Sequence, residues 1–384
     1  MSRHDLGRHY LDHASTSPAR PEAVEAIARC LREVRGDPAR IHHEGQVARV
    51  TIEEAREQVA ALLGARSREV VFTSGATEAI ATAIHGATAR AGENAGASGR
   101  RAHVVAAAVE HSAVRLGSAQ HDLTLVGCDR RGRVDADELM AAVRPDTALV
   151  HLQWGNHEVG TTQPVEEVAA RCRERGVLVH VDAAQAAGHV PVDFRALGAD
   201  LMSVSAHKMG GPPGVGAVLV RRGLRLDPLL VGGDQERARR AGLENVPAVA
   251  GWGAAAGALA GGLDEEEQTA RQRTTRVIEA ATGLDGVELF GDAQDRLPHL
   301  VCLGIRGVEP QAVLLGLDQA GVAVHSGSAC ASEDLVPSPV LEAMGVDAHH
   351  SLRVSVGWNT TDDDIDALLE AMPAVLDRLR ALGA

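Results

Sequence analysis

Short apolar runs alternate with amphipathic helical patterns from about residue 22 to about residue 222. The runs that predict strands are EVVFTS, AHVVAAA, LTLVG, TALVHLQ, VLVHVDA, LMSVS and GAVLVRR. Helical patterns lie between them, such as TIEEAREQVAALLGA, which we expect to begin at Thr51, and VEEVAARCRERG, which we expect to end at Gly176. Strands that alternate with helices are typical of a mainly parallel sheet covered by helices.

The pattern changes after about residue 262. A charged helical segment, LDEEEQTARQRTTRVIEAATGL, leads to the apolar runs LVCLGIRG and LRVSVG, with a helical pattern over 309–320 between them. The final segment, DDDIDALLEAMPAVLDRLRAL, again has helical spacing. We therefore predict a large domain over 14–262 and a smaller α/β domain formed by 1–13 and 263–384.

Composition excludes several classes of function. The chain has 384 residues, of which 45% are hydrophobic but only 2% are aromatic, so Ala, Val and Leu must build the core. The formal net charge is -14. Direct nucleic-acid binding usually needs a cationic surface or aromatic rings for stacking, and we therefore expect no direct nucleic-acid partner.

Neither a membrane span nor a metal site is indicated. The opening MSRHDLGRHYLDHAS has no apolar run long enough for a signal-peptide core. The segment AVAGWGAAAGALAGG, over 248–262, is short and rich in Ala and Gly, which predicts a tightly packed helix. The five cysteines form no CxxC pair. We expect a cytoplasmic protein with no membrane partner, no disulfide framework and no metal.

Lys208, in the segment SVSAHKMGGPPG, is the only lysine of the chain. Arginine supplies the other cationic side chains, and arginine is not a nucleophile. A desolvated lysine loses its proton and can form a Schiff base. Lys208 is therefore a candidate covalent residue, although composition alone leaves open that one lysine survives by chance.

Polar residues follow several predicted strands at the edge where open α/β sheets bind ligands. A TSGATEA turn follows EVVF, a DAAQ segment follows LVHV, and SAHK follows LMSV. Each has an ordinary structural alternative as a helix cap or a core histidine. Together they offer an anion site at a helix start, a carboxylate and a lysine, which match the phosphate, ring nitrogen and aldehyde of pyridoxal 5'-phosphate (PLP).

Longer segments resemble the cysteine desulfurases of the class V aminotransferase group, nearly from end to end. YLDHASTSP resembles the family's YLDNAATTP, AVEHSAV resembles xxEHxAV, and GNHEVGTTQPV resembles NNEIGxxQPI. Two segments are nearly identical to family segments: HVDAAQAAGHVPVD and SVSAHKMGGPPGVGAVLVRRG. A third, HSGSACASEDLVPSPVLEAMG, resembles the long cysteine loop of the family's first group. The resemblance implies PLP-dependent transferase fold type I: a large α/β domain with a mainly parallel sheet between helices, and a smaller α/β domain.

The same resemblance implies a role for each matching residue. Lys208 would hold PLP and move protons, His111 would stack on the cofactor ring, and Cys330 would receive sulfur as a persulfide. Arg353 would bind the substrate carboxylate, with Asn156 also near the substrate. The other implied cofactor-binding residues are Asp182 at the ring nitrogen, Gln185 and Asn156 near the ring oxygen, and Ala76, Thr77, Ser205 and His207, the last three around the phosphate.

The implied activity is conversion of L-cysteine to L-alanine, with sulfur passed from Cys330 to a protein acceptor that the sequence does not identify. A homodimer is expected. Cys330 lies in SGSAC, a run of small residues that predicts an exposed segment, whereas Cys30, Cys172 and Cys302 lie in helix or strand patterns and should be buried. Glu333 disfavours a Cys330 thiolate, so activation is expected from the pocket or the substrate.

Three residues depart from the family pattern: His13 and His157 replace asparagines, and Leu243 replaces a threonine. In the family that threonine reaches the partner subunit's cofactor phosphate, and leucine cannot donate the hydrogen bond. Related lyases (selenocysteine lyase, cysteine or sulfoxide β-lyase), an aminotransferase, or a silent docking subunit of a sulfur-handling complex are the alternatives. The set of Lys208, Asp182 and Cys330 argues against a silent subunit.

Overall fold

The computed structural model describes residues 7–95, 101–326 and 337–383. All seven predicted strands are present in one sheet, and the predicted α/β class with a mainly parallel sheet between helices is confirmed. The strands of the described residues are β1 (His9–Tyr10), β2 (Val70–Thr73), β3 (His103–Ala107), β4 (Asp122–Val126), β5 (Thr147–Gln153), β6 (Leu178–Asp182), β7 (Leu201–Ser205), β8 (Gly216–Val220), β9 (Val287–Phe290), β10 (Leu300–Ile305), β11 (Val322–Ala323) and β12 (Ser351–Ser355).

The helices cover both faces of that sheet and form the outer layer of the C-terminal part. They are α1 (Pro21–Glu33), α2 (His43–Leu62), α3 (Ala76–Ala95), α4 (Ser112–Ser118), α5 (Ala136–Ala141), α6 (Val165–Arg175), α7 (Phe194–Leu197), α8 (Gln235–Ala238), α9 (Val246–Ala260), α10 (Leu263–Ala281), α11 (Pro310–Gln319), α12 (Pro339–Met344) and α13 (Asp362–Gly383). Helix α6 ends as predicted, since Gly176 adopts φ 68°.

The prediction that a helix begins at Thr51 is wrong. Helix α2 begins at His43, and the His42 side chain caps it by accepting a hydrogen bond from the backbone N–H of Gly45. Thr51 lies in the middle of α2, where its hydroxyl donates to the carbonyl of Val47 over 3.0 Å. A threonine satisfied by the preceding turn does not interrupt a helix, so α2 continues upstream to its cap at His42.

The central sheet has the order β2-β8-β7-β6-β5-β3-β4. Strands β4, β3, β5, β6 and β7 are parallel, and β8 is antiparallel to β7 and to β2. Only a short connection separates β7 from β8, so the chain returns without a crossover helix. The carboxyl ends of β5, β6 and β7 therefore open onto one edge, where the residues that follow them meet.

The C-terminal part forms its own antiparallel sheet, in the order β12-β10-β9. Strand β1 pairs in parallel with β11, so that the N-terminal residues lie beside residues more than three hundred positions later. This pairing brings the chain's beginning to the C-terminal sheet, next to which α10, α11 and α13 pack. The exact domain boundaries stay a prediction.

The Ala- and Gly-rich segment over 248–262 lies mostly in α9 and packs tightly, as predicted. A Cβ added to Gly253 would lie 2.5 Å from Ala55 Cα, and one added to Gly251 would lie 2.6 Å from Ile27 Cγ1. These glycines let α9 approach α2 and α1 closely. Within the described ranges, no single helix is long and apolar enough to cross a membrane, and α9 with α10 meets that test only as a pair bent by 78°.

A buried ion pair attaches α8 to the sheet. Both oxygens of the Glu236 carboxylate accept from Arg56 at 2.7 Å, and one also accepts from the backbone N–H of Phe72 at 2.9 Å. Glu236 and Arg237 have left-handed backbone conformations, with φ 47° and 59°. The pair holds this unfavourable turn next to the strand that leads into the Ser74 turn.

We expect Glu236→Gln to lower the free energy of unfolding by about 3 kcal/mol, because the buried Arg56 guanidinium then keeps only the partly exposed Glu53 as a charge partner. Chemical denaturation measures the change. Asp366→Asn is the matched control, because it breaks an exposed pair with Arg276 and should cost less than about 1 kcal/mol. Equal losses in the two variants would contradict a stabilising role for the buried pair.

Candidate active site

One cavity of about 480 Å³ lies at the carboxyl ends of β5, β6 and β7 and beside the start of α3. Its size suits a cofactor with a small substrate. The structure brings together in its lining these predicted site residues: Ala76, Thr77, His111, Asp182, Gln185, Ser205, His207, Lys208 and Arg353. Residues that are far apart in the sequence thus line the same cavity.

Lys208 lies in the turn that follows β7, with its amine inside the cavity. Its Nζ donates to the backbone carbonyls of Ala14 and Ser15, the latter over 2.9 Å. Burial, and then the positive charge of Arg353, lower the pKa of the Lys208 amine to about 8. About a tenth of this amine is therefore uncharged at pH 7, which makes it a better nucleophile and base than an exposed lysine.

The anion-binding end of the cavity is the turn from β2 into α3. Ser74, Ala76 and Thr77 line it, and the backbone N–H groups at the start of this long helix face an anion favourably. A Cβ added to Gly216 would lie 2.7 Å from Gly75 Cα, so β8 packs directly against the turn. The close packing fixes the position of the N–H groups.

Glu78 also lines this end, and its charge is compensated. Burial raises the pKa of Glu78, but hydrogen bonds from Arg240 and Ser74 outweigh it and leave that pKa below its ordinary value. The Arg240 Nε donates over 2.8 Å and the Ser74 backbone N–H over 2.8 Å. Arg240 therefore neutralises a carboxylate next to the anion site, so that Glu78 does not repel a phosphate.

His207 sits between the lysine and the anion-binding turn. Burial, and then the nearby charge of Lys208, lower its pKa to about 4. The Nδ1 atom pairs with the Thr16 hydroxyl at 3.1 Å. His207 is therefore a neutral imidazole at neutral pH and offers a hydrogen bond rather than a charge.

Asp182 is the last residue of β6, and its side chain lines the cavity. Its Oδ1 accepts from the backbone N–H of Ala184 at 3.0 Å and from the Ser203 hydroxyl at 3.2 Å. Gln185 lies one turn further, where its amide donates to the Ala14 carbonyl over 2.8 Å. Both side chains are thus held by fixed partners while they line the cavity.

Arg353, on β12, closes the side of the cavity that faces the C-terminal sheet. Its Nη1 donates to the His157 carbonyl over 2.9 Å, and its Nη2 donates to Asp12 over 3.0 Å and to the Ser15 hydroxyl over 2.7 Å. Its Nε has no hydrogen-bond partner within the described part of the chain. Arg353 thus places a buried guanidinium at the cavity wall, where it can pair with a carboxylate.

His111 caps helix α4 and faces His157. Its Nδ1 accepts from the backbone N–H of Ala113 at 3.1 Å, and the rings of His111 and His157 meet edge to face with centroids 5.0 Å apart. Because Nδ1 accepts, the neutral ring carries its proton on Nε2. The cap fixes the plane in which His111 can stack on a ring.

Asn156 does not line the cavity in this structure. Its Oδ1 accepts from the backbone N–H groups of Glu158 and Val159 at 2.8 and 2.9 Å, and its Nδ2 donates to the Val109 carbonyl over 3.1 Å. The next residue, His157, lines the cavity instead. The cofactor and substrate contacts assigned to Asn156 stay a prediction.

Cys330 lies outside the described residues, so its role stays a prediction as well. The residues on either side of that stretch are tied to the site: the backbones of His325 and Arg353 exchange hydrogen bonds of 2.7 and 3.2 Å, and the Ser338 hydroxyl donates to Glu158. Of these residues Arg353 lines the cavity, and Glu158 directly follows the cavity residue His157.

The other cysteines agree with the sequence analysis. Cys30, Cys172 and Cys302 are buried, as predicted. Burial raises the pKa of the Cys172 thiol to about 12 and that of the half-buried Cys128 to about 11, so both stay protonated at neutral pH. Among the described residues no group of three potential ligands could hold a metal ion.

Sequence reasoning missed several residues of the site. Ala14 and Ser15 receive the lysine hydrogen bonds, and Ser15 also contacts Arg353. The opening motif YLDHASTSP could have indicated them, because it resembles a family segment and the sequence analysis assigns none of its residues to the site. His157 was noted only as a departure, although it lies in the cavity.

The residues fit PLP. The cavity combines an anion cradle at a helix start, a buried carboxylate, and an amine whose pKa is lowered to about 8. These are the groups that a phosphate, a pyridine nitrogen and an aldehyde require. No other cofactor chemistry is needed to explain why a buried lysine, a carboxylate and an anion cradle share one cavity.

A family model described as Aminotransferase class-V matches residues 9–368. Cysteine desulfurase IscS of Dictyoglomus turgidum is 39% identical over 97% of this chain and 95% of its own length. The chain belongs to the class-V aminotransferase family, in its cysteine desulfurase group. Cysteine desulfurase 1 of Trichormus variabilis is also similar, with 40% identity over 97% of this chain and 94% of that protein.

Solved structures agree with this family assignment. A NifS-like protein has a TM-score of 0.89 and 30% identity, and the match covers 97% of this chain and 100% of that one. A structure described as SspA in complex with cysteine has a TM-score of 0.78 and 28% identity over 91% of this chain and 98% of that one. PLP is the cofactor of this family and of this enzyme.

Proposed function

We propose that this protein is a PLP-dependent cysteine desulfurase that converts L-cysteine to L-alanine and transfers the sulfur to Cys330. The observation that carries the proposal is the shared cavity of Lys208, Asp182 and Arg353 beside an anion cradle. Relatives named cysteine desulfurase, at about 40% identity over nearly their whole length, support the choice of reaction. The structural neighbour in complex with cysteine supports the choice of substrate.

The described side chains divide the work of the first steps. PLP, when bound, withdraws electron density from the α-carbon of an amino acid. The phosphate would lie against Ser74, Thr77, Ser205 and His207, the ring nitrogen against Asp182, and one ring face against His111. Lys208 Nζ, whose pKa is lowered to about 8, takes the α-proton from the substrate.

Arg353 binds and orients the substrate carboxylate. Both two-point faces of a guanidinium include Nη2, which here already donates to Asp12 and Ser15. An incoming carboxylate that binds at two points therefore displaces one of these Nη2 contacts. This exchange selects for a substrate with a strong negative charge at that position.

The sulfur step assigns Cys330 as the nucleophile. Its thiolate attacks the substrate sulfur, so that an S–S bond forms while the C–S bond breaks. The electron pair of the C–S bond stays with the β-carbon, which takes up a proton to give the methyl group of alanine. The proposal rests on the SGSAC motif and on the hydrogen bonds of the flanking segments. One segment bonds to Arg353, which lines the cavity, and the other to Glu158, which follows the cavity residue His157.

The test is to supply L-cysteine to the PLP-loaded enzyme and to quantify the products. We expect L-alanine, with sulfide appearing only when a reductant releases it from the protein. Pyruvate with ammonia and free sulfide would instead identify a cysteine β-lyase, and amino-group exchange with an oxoacid would identify an aminotransferase. A protein that binds PLP but turns over none of these substrates would favour the silent docking subunit.

A protein sulfur acceptor, a homodimer and a cytoplasmic location complete the proposal. The dimer is supported by exposed apolar side chains on the segment before and after α8: Val231 is 84% exposed and Leu243 is 65% exposed. Leu243 does not line the cavity of its own chain. It is therefore available to approach the cofactor phosphate of a second subunit.

Leu243→Thr is expected to slow the loss of PLP on dialysis by about tenfold, because the new hydroxyl can donate a hydrogen bond to a charged phosphate. The absorbance of protein-bound PLP during dialysis measures the rate. Leu315→Thr is the matched control, since Leu315 is 63% exposed on α11 and should leave the rate unchanged. An unchanged rate for Leu243→Thr would mean that position 243 does not contact the phosphate.

A further inference from the structure

Three buried side chains connect in series to Asp182 from inside the central sheet. The Nδ1 atoms of His151 and His180 lie 2.9 Å apart, and His180 Nε2 lies 3.2 Å from the Ser203 hydroxyl. That hydroxyl donates to Asp182 Oδ1 over 3.2 Å. His151, His180 and Ser203 are completely buried, and only Asp182 of the four lines the cavity.

The strand register creates this series. His180 and Asp182 are two residues apart on β6, so their side chains lie on the same face of the sheet. The β5–β6 register places His151 beside His180, and the β6–β7 register places Ser203 beside Asp182. Three adjacent parallel strands therefore contribute one hydrogen-bonded row to the site.

The hydrogen-bond inventory fixes the direction of every bond in the row. A serine hydroxyl has a single hydrogen, which Ser203 gives to Asp182, so Ser203 must accept from His180 Nε2–H. Burial lowers the pKa of His180 to about 4 and lowers the pKa of His151 well below its ordinary value, so both rings are neutral. A neutral ring has one N–H, and His151 Nδ1–H must therefore donate to His180 Nδ1. All three hydrogens point toward Asp182.

A second carboxyl lies close to Asp182. Glu110, in the loop after β3, is completely buried, and its Oε2 has no hydrogen-bond partner among the described residues. Burial, and then the negative charge of Asp182, raise the pKa of Glu110 to about 8. Among the described residues, Lys208, in the turn after β7, and His180, on the same strand, also interact with the charge of Asp182.

Hydrogen bonds donated to a carboxylate favour its charged form. Asp182 accepts from Ala184 and from the directed row, whereas Glu110 accepts from one backbone N–H, that of Gln153, at 2.6 Å. We propose that His151, His180 and Ser203 are positioning residues whose directed hydrogen bonds keep Asp182 as the carboxylate partner of the PLP ring nitrogen. The inference concerns the cofactor and holds whichever amino acid is the substrate.

The test is a pH titration of the visible absorbance of PLP bound to the protein, without substrate. Ser203→Ala removes the last donor of the row. We expect the midpoint of the absorbance change to move upward by about one pH unit. With weaker support from Asp182, the pyridine ring of PLP would carry less positive charge, and the nitrogen that joins the cofactor to Lys208 would be more basic. His151→Leu, which removes only the first donor, should move the midpoint in the same direction by less.

Thr124→Val is the matched control. It breaks a hydrogen bond of the same kind in the same sheet, between the Thr124 hydroxyl and His103 Nε2 at 2.9 Å, away from Asp182. It should leave the midpoint unchanged. A wild-type midpoint in Ser203→Ala, or an equal shift in Thr124→Val, would overturn the proposal.

A second measurement does not depend on PLP. In protein labelled with ¹⁵N-histidine, the nitrogen chemical shifts report which ring nitrogen carries the proton. We expect Nε2–H for His180 and Nδ1–H for His151. A His180 ring protonated on Nδ1 would contradict the direction of the row, even if the Ser203 variant failed to fold.

Discussion

Lys208→Arg is expected to lower the rate of alanine formation from L-cysteine by about a thousandfold or more, since general acid–base catalysis alone contributes about 10² to 10⁴. Arginine keeps the positive charge but neither attacks an aldehyde nor gives up a proton near neutral pH. In the wild-type protein, by contrast, burial and Arg353 lower the pKa of the Lys208 amine to about 8. The alanine assay with added PLP measures the loss.

The single lysine sharpens this experiment. Borohydride reduction of the wild-type holoenzyme should fix PLP to the peptide that contains Lys208, and reduction of Lys208→Arg should label no side chain. Adding Arg306→Lys to Lys208→Arg restores a lysine at a side chain that is 73% exposed, outside the cavity. That double variant should remain inactive, and activity in it would contradict a position-specific role for Lys208.

Cys330→Ser is expected to keep PLP binding but to lower alanine formation by about two orders of magnitude, because removal of a nucleophile leaves only the remaining groups of the site to act. Protein-bound sulfur should be absent. The absorbance of bound PLP and the alanine assay separate the two effects. The expectation depends on the sequence motif, since Cys330 lies outside the described residues.

Cys128→Ser is the matched control for this substitution. Cys128 is half-buried, and burial together with Asp129 raises the pKa of its thiol to about 11, so it supplies little thiolate at neutral pH. Its loss should leave alanine formation unchanged. Wild-type activity in Cys330→Ser, or an equal loss in Cys128→Ser, would exclude Cys330 as the specific sulfur acceptor.

The strands of the large sheet could be predicted because each is a short, mainly apolar run, and most of them are buried on both faces; the edge strand β4 is largely exposed. The order of those strands and the antiparallel direction of β8 were not predicted. The pairing of β1 with β11 joins residues such as Tyr10 and Ala323 that no local pattern connects. Long-range pairings depend on tertiary packing, which a periodicity does not encode.

The cavity residues were predicted where strand ends and family motifs coincide, as at Asp182 and Lys208. The case of Asn156 and His157 shows the limit. The Asn156 amide holds the following turn by accepting from two backbone N–H groups, and the turn then presents His157 to the cavity. Which of two adjacent side chains faces a site depends on such local hydrogen bonds, and a motif does not show them.

The row behind Asp182 was missed for a related reason. In the sequence, His151 and His180 are single polar positions inside the apolar runs TALVHLQ and VLVHVDA. Considered alone, each histidine is compatible with a core position at which its hydrogen bonds are satisfied. Only the β5–β6 register brings the two rings together.

The central claim is that sulfur from L-cysteine moves onto Cys330 while alanine leaves. The most direct measurement is a single turnover of the PLP-loaded enzyme with ³⁴S-labelled L-cysteine, followed by peptide mass spectrometry and quantification of alanine. The account predicts one labelled sulfur atom on the peptide that contains Cys330 for each alanine formed. Labelled sulfide in solution with an unmodified Cys330 peptide, or label on another cysteine, would contradict it.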